Sequence, residues 1–321
     1  MKIGLQLHPD RGVDAVIAEA RVADDQGFDS VWLSDHIMNT RGEHKADGPL
    51  DLFTLAVAIG AVTTRTRLAW GTLNTTLRPP TLFAKMLTSL DQITHGRVIA
   101  TLGSGWNKLE YDAYNLPWIE DHDERAEAGR EAIALMKHLW THPAPEETTF
   151  EGKYFQTKNL PFNPEPYQKP HMPIWVGGES EPTMQTVREL ADGWMMLSAG
   201  GKPDTLRKVL GHPDWPTRPM TLVKGGRIIV GETRDAAIRT AEGDYELLKK
   251  TAPQIAPPTF EEFLEREIIG TADQCLEKLT DLESLGVNYV RCNFNTQQAQ
   301  DRVAGEIIPR LDEVKAPSPV S

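Results

Sequence analysis

Asp35-His36 is the only Asp-His pair in the chain that directly follows an apolar, β-rich run, Ser30–Ser34. An imidazole exchanges protons near neutral pH, and a neighbouring carboxylate can hold its tautomer, favour its protonated form or contact a cofactor. The same pair also fits a helix cap beside a hydrogen-bonded histidine. Gly103-Ser104-Gly105-Trp106-Asn107 sets glycines beside a large aromatic, which could wall a planar cofactor or close over a core. Gly177-Gly178-Glu179-Ser180 precedes a helical pattern opening at Glu181-Pro182. Close backbone approach at glycine, free N–H groups at a helix start and a serine hydroxyl suit a phosphate; they suit a turn and a cap equally well.

Other chemistries lack their signatures. Neither the Rossmann glycine spacing nor the Walker A pattern occurs, and Gly-x-Ser-x-Gly is missing, which disfavours a nucleophilic hydrolase. The nine histidines show no HExxH or comparable spacing, so no metal site is expected. His122, between Asp121 and Asp123, reads as solvated. Cys275 and Cys292 form no ligand or disulfide pattern and read as reduced, packed thiols. The 46 acidic against 34 basic residues give a charge of −12, which argues against a nucleic-acid or anionic-membrane surface. The start, Met1–His8, lacks signal-peptide features, and the apolar stretch Leu52–Val62 is interrupted by Thr54 and Gly60. A cytoplasmic protein is the expectation.

These residues need elements to position them. Short β-rich runs alternate with helical patterns along 321 residues. Strands are expected at Ile3–Leu7, Ser30–Ser34, Arg67–Gly71, Val98–Leu102, Pro173–Val176, Gly193–Leu197, Met220–Gly231 and Asn288–Phe294. Helices are expected at Val13–Gln26, Leu50–Thr64, Thr81–Ile93, Asp123–Trp140, Glu181–Ala191, Arg234–Lys250 and Ala272–Leu285. Eight strands in βαβ alternation predict an α/β fold, a (β/α)8 TIM barrel, although an open doubly wound sheet shares the pattern. One domain over 1–314 is expected, with insertions near 141–172 and 250–260 and a frayed tail at 315–321. Residues just past barrel strands face the active site. That rule selects His8, Asp35-His36, Thr72-Leu73-Asn74-Thr75, Gly103–Asn107 and Gly177–Ser180. His8, Trp70, Arg78 and Trp194 could shape a substrate pocket.

Taken together, the segments resemble the bacterial-luciferase-like family of flavin-dependent oxidoreductases. The carrying segments are Gly27–His36, Leu90–Arg97, Gly103–Tyr111, Phe150–Phe155, Pro173–Gly178, Ala191–Trp194 and Ile269–Thr271. The likeness spans roughly Lys2 to Arg310, and the order and spacing of these motifs make it specific. It implies a TIM barrel with a reduced flavin, or its deazaflavin analogue, across the C-terminal mouth. Asp35 and His36 match the family's acidic-residue–His pair near the reactive ring. Thr72, Leu73 and Asn74 lie where many members carry a non-prolyl cis peptide, placed by the match at Leu73-Asn74. Gly177, Gly178, Glu179 and Ser180 match a phosphate-side loop, while Ser104, Gly105, Trp106, Asn107 and Tyr111 fall on the opposite wall. Trp106 stands where deazaflavin sugar-phosphate dehydrogenases of the family place a catalytic Glu, so that activity is disfavoured.

The leading expectation is a monooxygenase using reduced FMN from a separate NAD(P)H:flavin reductase, with dioxygen and a small organic substrate. The chain shows no second nucleotide fold, hence the external reductase. The alternative is hydride transfer with the deazaflavin coenzyme F420, whose acidic tail would call for cations such as Lys202, Arg207 or Arg227. A non-catalytic flavin-binding barrel is the third reading. The resemblance also implies a homodimer packed through helices of the first half.

Overall fold

The computed structural model describes residues 1–38, 50–196, 202–253 and 255–314. In chain order the first half holds β1 (Lys2–Gln6), α1 (Val13–Gln26), β2 (Ser30–Leu33), α2 (Leu52–Val62), β3 (Arg67–Trp70), β4 (Leu73–Asn74), α3 (Pro80–Thr94), β5 (Ala100–Gly103), α4 (Lys108–Ala113) and α5 (His122–Thr141). A hairpin, β6 (Glu147–Glu151) and β7 (Gln156–Pro161), leads to β8 (Ile174–Gly177), α6 (Glu181–Leu190), β9 (Gly193–Met196) and α7 (Pro203–Leu210). The remainder is β10 (Thr221–Gly226), β11 (Ile228–Val230), α8 (Arg234–Thr251), α9 (Phe260–Arg266), β12 (Ile268–Gly270), α10 (Ala272–Ser284), β13 (Tyr289–Cys292) and α11 (Gln297–Glu306). Helix starts carry the side chains that satisfy their first N–H groups: Asp51, Asp121, Thr233, Thr259, Thr271 and Thr296 each accept one.

The main sheet is parallel, in the order β3-β2-β1-β13-β10-β9-β8-β5-β4. Its two ends meet. Leu68 of β3 bridges Val98, donating to Arg97 O at 2.7 Å and accepting from Ile99 N–H at 2.9 Å. β3 and β4 are thus two pieces of one barrel position, and the ring has eight positions, as the alternation predicts. Strand parity separates two cores. Trp32, Ala69, Ile99, Trp175, Met195, Val223 and Tyr289 cluster apart in the lumen, while Leu5, Val31, Leu33, Leu68 and Trp70 join the core shared with the helices.

The structure corrects several expected elements. Met220–Gly231 is two strands: β10 stays in the barrel, and β11 leaves it to pair with β12. The break falls where the Glu267 carboxylate packs on Gly226 and accepts the Arg227 N–H at 2.5 Å. α4, α7, α9, α11 and β12 lie outside the expected set, being short or weakly periodic. The Phe150–Tyr154 region is a hairpin, clamped to α5 by Glu131, which accepts N–H bonds from Lys153, Tyr154 and Phe155. The expected tail at 315–321 and the end of the Gly193–Leu197 run lie outside the described residues.

Candidate active site at the barrel mouth

β2 delivers Asp35 and His36 to the C-terminal rim, but to different partners. The Asp35 carboxylate is buried and forked by Arg78, at 2.8 and 2.9 Å, and it accepts the Asn74 N–H at 2.8 Å. Bidentate pairing of this kind fixes geometry as well as charge. Asp35 therefore secures the start of β4, and the expectation that it would charge His36 is corrected. The imidazole instead lies with Nδ1 2.6 Å from Glu110 Oε1. Glu110 Oε2 accepts the Ile37 N–H at 2.8 Å, and Asn107 donates to Oε1 at 2.8 Å. Burial works to raise the Glu110 carboxyl, but the His36, Ile37 and Asn107 bonds outweigh it and hold the group below the usual carboxylate range. Trp106, 66 % exposed, stands edge-on to the imidazole at 5.7 Å.

Asn74 faces this wall. Its Oδ1 accepts from Thr76 N–H and Oγ1, and the Thr76 hydroxyl meets Tyr111 Oη at 2.7 Å. Gly105 packs on the Asn74 amide at φ +76°, so a side chain there would meet both strain and collision. Tyr111 is buried against Trp118 and braces the wall from behind.

Across the mouth, β8 ends at Gly177 and the chain turns through Gly178 into α6. Ser180 takes the position before the helix without capping it; its hydroxyl pairs with Thr183 Oγ1 at 2.9 Å. Thr183, Thr186 and Arg130 line a narrow crevice with Gly103, Ser104 and Gly177. Between wall and crevice the floor is backed by glycines and covered by side chains from neighbouring positions. Gly71 lies under Arg291 and Met195, Gly103 under Thr72, Gly177 under Thr72 and Met195, and Gly225 beside Arg291. The hydroxyls of Thr183 and Thr186 and the Arg130 guanidinium supply donors of the kind a phosphate takes, beside the apolar Ala126, Ile133 and Val176. No group of three or more His, Cys, Asp or Glu among the described residues could hold a metal.

Other expected site residues are placed differently. The non-prolyl cis bond is Gly71-Thr72, not Leu73-Asn74, whose residues are paired in register with Leu102 and Gly103. Trp70 is stacked on Phe53 at 6.0 Å on the helix side, because it has the outward parity of β3. Trp194 is also buried outside the lumen, and its Nε1 donates to Gly178 O at 2.8 Å, supporting the loop rather than lining the pocket. The Arg78 guanidinium is committed to Asp35 and Asp51. His8 lies at the rim beyond β1, partly buried. Glu179 lies within the crevice loop. Arg207 pairs with Asp204 on α7, and Arg227 lies by Asp244 and the Phe263 ring and is not part of the crevice lining. Glu110, Thr76, Arg130 and Thr183 are site residues that sequence reasoning missed; only the Asn107-to-Glu110 spacing at a helix start offered a signal.

A family model described as luciferase-like monooxygenase matches residues 1–289. The FMNH(2)-dependent dimethylsulfone monooxygenase of Pseudomonas putida is 24% identical over 330 residues, covering 92% of this chain and 87% of its own. An F420-dependent glucose-6-phosphate dehydrogenase of Intrasporangium calvum is 32% identical over 184 residues, covering 56% of this chain and 52% of its own. Among solved structures, a long-chain alkane monooxygenase superposes with a TM-score of 0.79 at 16% identity, covering 98% of this chain and 91% of that one. The coenzyme F420 dependent tetrahydromethanopterin reductase of Methanopyrus kandleri gives 0.73 at 20% identity, covering 97% and 99%. These structural matches establish a shared fold.

Proposed function

The chain belongs to the luciferase-like monooxygenase family, and on that premise we propose that it uses reduced FMN, supplied by a separate NAD(P)H:flavin reductase, and dioxygen to oxidise a small organic substrate. The observation that carries this reading is a glycine-backed floor at the strand ends, with the Thr183–Thr186–Arg130 crevice and the His36–Glu110 pair at its rim. The near full-length match to an FMNH(2)-dependent relative supports it. Thr183, Ser180 and Arg130 would hold the phosphate; Asn74, Trp106 and the floor would hold the ring. Bound reduced FMN supplies the electrons that activate dioxygen. His36 exchanges a proton at Nε2, Glu110 holds Nδ1, and Asp35 with Arg78 keeps Asn74 in place.

Hydride transfer with coenzyme F420 is the second reading, favoured by the F420-dependent relatives. The pairing of Arg207 with Asp204 and of Arg227 with Asp244 weighs against it. One catalytic unit over 1–314 and a cytoplasmic homodimer complete the proposal. No helix among the described residues is long and apolar enough to cross a membrane. Leu82, Ile93 and Val22, exposed on the first-half helices, support the dimer. The test is oxygen uptake with reductase and NAD(P)H over a panel of small organic substrates. Uptake matched by oxygenated product is expected; uptake yielding only hydrogen peroxide with every substrate contradicts the proposal.

A further inference from the structure

The crevice continues outward past Arg130. Between α5, the β6–β7 hairpin and α6 lies a cavity of about 340 Å³. Crevice and cavity share the Arg130 side chain and draw on adjacent residues, Ala126 and Glu127 on α5, Thr183 and Pro182 on α6. The strand-end residues Gly103, Ser104 and Gly177 line the crevice and take no part in the cavity, which therefore lies on the side away from the barrel. A group that continued beyond a phosphate seated in the crevice would pass Arg130 into this space.

The charged lining of the cavity is Asp123, Glu124 and Glu127 against Arg130 and Lys153. Both cations are already engaged. Lys153 Nζ is 3.1 Å from Glu127 Oε2 and 4.6 Å from the centre of the Tyr154 ring, and Arg130 Nη1 is 3.4 Å from Glu189 Oε2. The Tyr154 hydroxyl lies 2.9 Å from Glu127 and 3.5 Å from Glu124, and among the described residues no cation pairs with Glu124. An anion entering the cavity meets carboxylates in excess, and like charges brought together select against it.

We propose that this cavity makes the site selective for a flavin that ends at its phosphate, with Glu124 and Glu127 repelling the anionic tail that continues coenzyme F420. The inference rests on the proposed flavin reading for the seat of the phosphate.

Full-length protein is titrated by equilibrium dialysis with three probes: FMN, coenzyme F420 with its glutamate tail, and the same deazaflavin cut back to its phosphate. The two deazaflavins differ only in the tail. At low salt the trimmed form should bind about tenfold or more tighter than F420, the scale of one or two close like-charge contacts. The gap should shrink to about twofold in 1 M salt, where charges reach only about 3 Å. Glu124→Gln combined with Glu127→Gln should close the gap to about twofold at low salt. These side chains are on the surface, so the fold is kept. FMN affinity should move by less than about threefold, because Arg130 stands between the phosphate and the carboxylates. Glu124→Lys should draw F420 level with the trimmed form or ahead of it. Equal binding of the two deazaflavins by unmodified protein overturns the proposal. So does a gap that survives both 1 M salt and the double variant, which would make the exclusion one of shape. If FMN fails to bind while the charge-dependent gap persists, the FMN reading falls and the tail exclusion stands. If none of the three saturates, both fall.

Discussion

His36 and Glu110 carry the proton-handling part of the account, and the two should fail differently. His36→Asn removes the exchangeable Nε2, and kcat should drop by about 10²–10⁴, the usual range for a general acid–base group. FMN affinity, measured by fluorescence quenching, should change less than about twofold if the crevice does the holding. Glu110→Gln keeps the shape and removes the charge that orients Nδ1, so kcat should fall by about 10–100-fold, a typical loss for an orienting partner. Glu110 also contributes to stability, and the sign follows from its depressed carboxyl. The contribution is full above the ordinary value of 4.5 and is lost as pH falls through the lower folded value. Denaturant midpoints of wild type and Glu110→Gln should therefore differ most above pH 4.5 and converge below it. Asp35-His36 was legible because strand ends can be located from apolar runs. Glu110 was not, since its contact spans 74 positions and only folding closes it. Trp70 and Trp194 were misassigned for a different reason: a tryptophan near a strand end says nothing of which face it takes until parity is fixed.

At the scale of elements, the crevice depends on support from behind. Trp194→Phe deletes the bond to Gly178 O while keeping the ring, so isothermal titration should show FMN binding weakened by about three- to tenfold, the worth of one hydrogen bond. Unchanged affinity would assign Trp194 to packing alone. The junction between α1 and β3 offers a stability test. Asp24 accepts N–H bonds from Thr64, Arg65 and Thr66 and the Thr64 hydroxyl. Burial opposes its ionisation, but these bonds prevail and the carboxyl is depressed. Asp24→Asn should cost about 1.5–3 kcal/mol by urea unfolding near neutral pH. The cost should shrink as pH falls below the ordinary 3.8, where the wild-type carboxylate is protonated. The eight strand positions and seven of the helices were legible from periodicity, whereas the short α7 and α11 after β9 and β13 were not. The split after β10 was not, because Ile228-Ile229-Val230 carries the β-rich pattern past Gly225-Gly226, and only the buried Glu267 shows where it breaks.

For the whole molecule, the alternation of strands and helices carried the barrel, and the resemblance carried the flavin. Closure was beyond the sequence, since it rests on Leu68 meeting Val98 and on β3 and β4 sharing one position. A dimer through the first-half helices predicts that charging Leu82 and Ile93 to Asp converts it to monomer by sedimentation velocity, with the circular dichroism spectrum unchanged. The central claim is that the mouth takes reduced FMN. Its most direct measurement is a pair of anaerobic titrations, reduced FMN and reduced coenzyme F420, against the same protein by equilibrium dialysis. The account predicts saturable binding of FMN at least about tenfold tighter than F420, or about 1.4 kcal/mol. Tight F420 binding with no saturable FMN binding would contradict it.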